Sequence, residues 1–208
     1  MAVAVVDPAA ATGTAGSFAG YGVDVAVTLD PCPAPLTDAM LPLPLLVAGW
    51  LRGQVGPAEI TVHVLPVAPG SSAAHCRRLG TELGRRLGDE GGTMGLLVLG
   101  DGAATHTLRA PGYFDPRAEG LDRAVATALL DADPDALLDL DPALCGELLV
   151  AGREAWQVGA AAAQAVAPAW RGQLLYSDAP FGVAYHVALW EVAQAEPVAS
   201  DAFAAPVL

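Results

Sequence analysis

The 208-residue chain contains no lysine: all ten basic residues are arginine, against 23 acidic ones, for a net charge of −13. Nucleic acid is therefore excluded as an expected partner, because phosphate contacts are carried mainly by Lys and Arg. An anionic membrane surface is disfavoured for the same reason. Charge of either sign is scarce at 16%, while hydrophobic residues make up 53% and the mean hydropathy is +0.43. A disordered chain needs the opposite balance. No apolar run approaches the roughly 20 residues that span a bilayer; the best, from Ala39 to Leu51, is broken by Pro42 and Pro44. The N-terminus has no basic region, and its apolar stretch stops at Asp7, so it does not read as a signal peptide. Cysteine is limited to Cys32, Cys76 and Cys145, an odd number without a CxxC. These thiols read as small apolar residues of a reduced, cytoplasmic protein.

Small and chain-breaking residues take the place of charge: 43 Ala, 23 Gly and 17 Pro. Ala2 to Val6 is a short apolar run closed by Asp7-Pro8 and reads as a buried strand, followed by a glycine-rich loop over 9–22. Val23 to Leu29 alternates and is rich in Val, as a strand should be. Asp30 to Pro35 is a loop with three prolines, and Leu41 to Gln54 enters a helix through prolines at its start. Glu59 to Leu65 is expected to be a strand stopped by Pro66. Ser71 or Ser72 then caps a helix reaching about Leu87, with Leu79, Leu83 and Leu87 on one face. Met94 to Leu99 is a short strand, and residues 100–117 are irregular. Helices are expected over Glu119–Leu130, Pro134–Leu140 and Ala143–Ala167, and strands over Gln173–Tyr176 and Val183–Val192. This order predicts one α/β domain over 1–208, with its core at 1–198 and a loose tail at 199–208. Its central, mostly parallel sheet is flanked by helices and closed by a C-terminal strand pair.

The segment at 95–122, GLLVLGDGAATHTLRAPGYFDPRAEGLD, is the most informative. A buried strand delivers Gly100, Asp101 and Gly102 to its C-terminal end, where open α/β sheets place ligands. The glycines would let backbone approach a ligand, with Asp101 and His106 as acid, base or metal ligand; a turn cap and a solvated loop are the plainer roles. His63, in a Val-rich strand, reads as a packed core residue, and His75 as a first-turn surface residue. The face of His186 is undecided. No HxH or HxxxH pair marks a metal site. Residues 130–142 are rich in Asp but fail as a calcium loop, with Ala136 where Gly is needed and Pro142 where Glu is needed. Helix caps explain them. A GxSxG elbow, a P-loop and a GxGxxG fingerprint are absent.

Residues 95–122, then DPDALLDLDPALCGELLVAGREAWQV (133–158) and LLYSDAPFGVAYHVALWE (174–191), resemble the class III extradiol ring-cleavage dioxygenases. Within that class the resemblance is to the family similar to the catalytic β subunit of protocatechuate 4,5-dioxygenase and, more distantly, to Memo-like proteins. GSFAGYGVDV (16–25) and LPLPLLVAGWL (41–51) extend the resemblance over most of the chain. It implies an α/β fold with a cleft at one edge of the sheet. In active relatives Fe(II) sits on two His and one Glu, open to a catechol and O₂, while another His moves protons. Where the wider superfamily has Gly-Asp-x-Ser-His, this chain has Gly100-Asp101-Gly102-Ala103-Ala104, with His106 two residues further on. Relatives also begin with a strand and a loop that supplies an iron ligand, and this chain is expected to start after that segment. Glu191, near the end of the last strand, is the carboxylate available for iron.

Two functions follow from this resemblance. The first is a metal-dependent oxidoreductase acting on a small aromatic or other enolisable compound, with Asp101 as ligand or orienter and His106 as displaced acid/base. The second is a metal-free descendant that binds a small molecule or another protein. A sheet edge left open by a missing upstream strand would favour homo-oligomers.

Overall fold

The computed structural model describes residues 1–11, 13–31, 41–55, 60–89 and 94–193. Cys32, most of the proline-bearing loop at 30–35, Glu59 and the tail at 199–208 lie outside the described residues. The strands are β1 (Ala2–Val5), β2 (Ala15–Ser17), β3 (Ala26–Thr28), β4 (Val64–Val67), β5 (Leu97–Leu99), β6 (Trp170–Asp178) and β7 (Tyr185–Val192). The helices are α1 (Leu43–Gln54), α2 (Ala73–Asp89), α3 (Ala118–Asp131), α4 (Pro134–Leu138), α5 (Pro142–Glu147) and α6 (Arg153–Val166).

The α/β domain is built on a parallel sheet in the order β4-β1-β5, with β6 and β7 forming an antiparallel pair. Alternation along the first strand decides the layers. Ala4 and Val6 pack with Leu45 and Leu46 of α1 and with Val27, and Ala2 packs with Ala48. Val3 faces the other way, onto Cys76 and Leu83 of α2 and Ala155, Val158 and Ala162 of α6. Gly80 and Gly84 bring α2 against α6: a Cβ at Gly80 would meet the Val158 carbonyl and lie 2.6 Å from Ala161 Cβ. Small residues in both helices make this approach, which explains part of the alanine and glycine surplus.

Three expectations about elements need correction. The third expected strand lies later, at Val64–Val67, and passes through Pro66. Bonds from Ala2 N to the His63 carbonyl and from Val6 N to the Val67 carbonyl turn the odd-numbered residues toward β1. Pro66 therefore presents its missing N–H to the outer edge, where a proline is tolerated. Next, β3 does not join the parallel sheet; it pairs antiparallel with β2, inside the segment read as a loop. Finally, the long helix at 143–167 is two helices, α5 and α6. Leu149 between them adopts φ +54° and Gly152 starts the second. A side chain at Gly152 would lie 2.6 Å from the Trp156 ring, so chain reversal and close packing override the helical pattern there.

Candidate active site

The site forms where the segment after β5 crosses the N-terminal half of α3 and the hairpin of β6 and β7. Gly100 lies against the backbone of Gly152, and a Cβ at Gly102 would strike Asp122 Oδ1 and the Ala184 side chain. These two glycines thus serve contacts within the chain rather than the approach of a ligand. Backbone bonds hold the segment to the hairpin: Gly102 N to the Ala184 carbonyl (2.8 Å), Ala184 N to the Ala103 carbonyl (2.9 Å) and His106 N to the Gly182 carbonyl (3.2 Å).

This placement brings His106 onto Asp122 of α3, with Nε2 2.6 Å from Oδ2. His186 reaches the same carboxylate from β7, with Nε2 3.3 Å from Oδ1. Ala103 N donates to both carboxylate oxygens, at 3.3 and 3.2 Å. The Asp122 side chain is 7% exposed, His186 3% and His106 15%, so only His106 has an edge toward solvent. Burial acts to raise the Asp122 pKa, but hydrogen bonds from His186, His106 and Ala103 N outweigh it, and the net shift is downward. An ionised carboxylate only accepts, so both Nε2 atoms must be donors. In the neutral ring, His106 Nδ1 then carries a lone pair, the group a general base requires.

Across the β6–β7 ladder, Ser177 Oγ lies 3.0 Å from His186 Nδ1. The rings of Trp156 and His186 are 6.2 Å apart, centre to centre. Thr105, next to His106, is buried, and its hydroxyl has no partner among the described residues. Phe181 (81% exposed), Tyr113 (62%) and Phe114 (51%) are uncovered on the adjoining turns. They lie close because His106 N bonds to Gly182 and Asp115 N bonds to the Thr105 carbonyl.

The other expected site residues are not gathered here. Asp101 is half-buried, burial raises its pKa, and its carboxylate has no hydrogen bond or ion pair among the described residues. Its charge helps raise the phenol of Tyr185, after burial of that ring. Glu191 is exposed across from Arg171, on the face of β7 opposite His186. His63 is exposed, contrary to the core reading, while His75 lies in the first turn of α2 with Nδ1 2.8 Å from Arg78. Asp133 and Asp141 cap α4 and α5, as the acidic run suggested. Asp122 was not singled out in the sequence, although a signal exists. Ala118, Leu121, Asp122, Val125 and Ala128 form the buried side of α3, and a carboxylate in such a stripe needs partners.

Two imidazoles and a carboxylate have the composition of an iron-binding triad, but not its arrangement. Both Nε2 atoms are spent as donors to Asp122, whose two oxygens also accept from Ala103 N. Among the described residues, no group of three or more His, Cys, Asp or Glu is disposed to hold a metal ion. The described residues therefore do not fit the Fe(II) that the resemblance implies. No helix among the described residues is long and apolar enough to cross a membrane. No family model matches the chain, and no curated protein matches it.

Proposed function

We propose that the chain is an extradiol-dioxygenase-like protein that binds a small phenolic or otherwise enolisable molecule and moves a proton at His106 without iron. The observation that carries this reading is the 2.6 Å contact from His106 Nε2 to the buried Asp122 carboxylate. It fixes the ring and leaves Nδ1 as acceptor on the less buried of the two imidazoles. His106 Nδ1 takes the proton of a phenolic O–H or of a C–H beside a carbonyl. Asp122 then stabilises the resulting imidazolium, and the proton returns when the ligand leaves. A positioned base of this kind contributes about 10²–10⁴-fold to such a transfer. Phe181 with Tyr113 and Phe114 offers apolar surface to a ring.

The test is calorimetric titration with catechol, followed by anaerobic titration with Fe(II). The expected result is catechol binding that weakens at least about tenfold in His106→Ala, together with no tight equivalent of iron. Catechol affinity unchanged in His106→Ala would remove the assignment. One tight equivalent of Fe(II) with catechol-dependent O₂ uptake would overturn the iron-free reading in favour of a ring-cleaving oxidoreductase.

A further inference from the structure

The far side of the same carboxylate carries a second reactive arrangement. The geometry points to Ser177 as the nucleophile of a Ser177–His186–Asp122 triad that acts on small activated acyl compounds such as aryl esters. Ser177 and His186 are opposite one another across the β6–β7 ladder, which places both side chains on one face. The hydroxyl lies 3.0 Å from His186 Nδ1, and His186 Nε2 lies 3.3 Å from Asp122 Oδ1. A nucleophile, a base within hydrogen-bond reach and a buried third group orienting that base are the defining parts of such a site. Triads are recognised by these roles rather than by chain order, so the absence of GxSxG is no objection.

The environment suits the assignment. Ser177 is exposed, whereas the imidazole behind it is almost completely buried. Because ionised Asp122 requires Nε2–H, Nδ1 is the acceptor facing the serine hydroxyl. The other described serines are used differently: Ser17 and Ser72 accept from helix N-termini, and Ser71 donates to the Ala68 carbonyl. In the turn that follows, the N–H groups of Phe181 and Val183 have no acceptor among the described residues. An oxyanion needs free backbone donors of this type. Exposed Phe181, in the turn that follows, supplies apolar surface for an acyl or aryl group.

In the reaction, Ser177 Oγ bonds to the acyl carbon as its proton passes to His186 Nδ1. The bond to the leaving group then breaks, and the leaving group takes that proton. Water repeats both steps, releasing the acid and restoring the serine. No oxidant or metal enters.

The test is labelling of the full chain with an alkyl fluorophosphonate, with the adduct mapped by mass spectrometry. The expected adduct is on Ser177, is absent in Ser177→Ala, forms at least about 100-fold more slowly in His186→Gln, and is lost in denaturing urea. The urea comparison needs no variant to fold. An unmodified Ser177 overturns the proposal, as does labelling at equal rates in native and unfolded protein or in wild type and a folded His186→Gln. The readout uses no phenolic ligand, so its failure leaves the His106 reading standing, and failure of catechol binding leaves this one standing.

Discussion

Replacing Asp122 with alanine strands three donors at once. His106 Nε2, His186 Nε2 and Ala103 N all end on its carboxylate. His106 is 15% exposed and can turn toward water, but the His186 side chain is 3% exposed and Ala103 is fully buried. Each of these two buried donors costs about 1–3 kcal/mol when left unpaired. The desolvation of Asp122 itself, the largest influence on its pKa and the one that opposes ionisation, is relieved and offsets part of the loss. The expected net destabilisation is about 3 kcal/mol, which for a domain of this size lowers Tm by about 6–12 °C. Urea unfolding at pH 7 measures it. The variant also changes the acid limb. A carboxyl whose folded pKa lies below its unfolded value stabilises above the unfolded value, about 3.9. That contribution is lost as the pH falls through the folded pKa. Wild type should therefore lose stability below about pH 4 more steeply than Asp122→Ala. A loss under about 1 kcal/mol at pH 7, or parallel acid limbs, would refute the view that this carboxylate organises the site.

Three further outcomes follow from other parts of the fold. Gly80→Val should destabilise by at least about 3 kcal/mol in denaturant unfolding, because the new side chain meets the Val158 backbone and Ala161; a near-neutral result would mean that α2 and α6 can separate freely. Cys145, with its thiol pushed up to about 11 by burial, and Cys76, shifted in the same direction by burial, should resist a thiol-specific chromophoric reagent in a Cys32→Ser background. Their reaction should appear only with unfolding, and immediate reaction of either would contradict its placement. Asp101→Asn should raise Tm slightly at pH 7, since burial without a hydrogen bond disfavours the native carboxylate. Because that pKa is raised on folding, the advantage should shrink as the pH falls and wild-type Asp101 protonates; an advantage constant with pH would refute this origin.

Local pattern alone determined much of the architecture. The apolar run at 2–6, the Ser72-capped helix with its leucine stripe, the short strand ending at Gly100 and the closing hairpin are all set by periodicity and chain breakers near in sequence. Those signals also placed His106 in the irregular segment after a buried strand. They could not identify its partner, because Asp122 is 16 residues away and meets His106 only once α3 packs under that segment. Nor could they determine the face of His186, since a strand alternates and its inward side depends on what covers it. The break between α5 and α6 has the same origin: Gly152 starts a new helix where Gly100 and Trp156 press against it, a contact invisible to helical periodicity. Sequence thus specified most of the elements, though not β2 or the break between α5 and α6. Tertiary packing decided that one buried carboxylate gathers two histidines from separate elements, because charge burial is tolerable only where it finds partners.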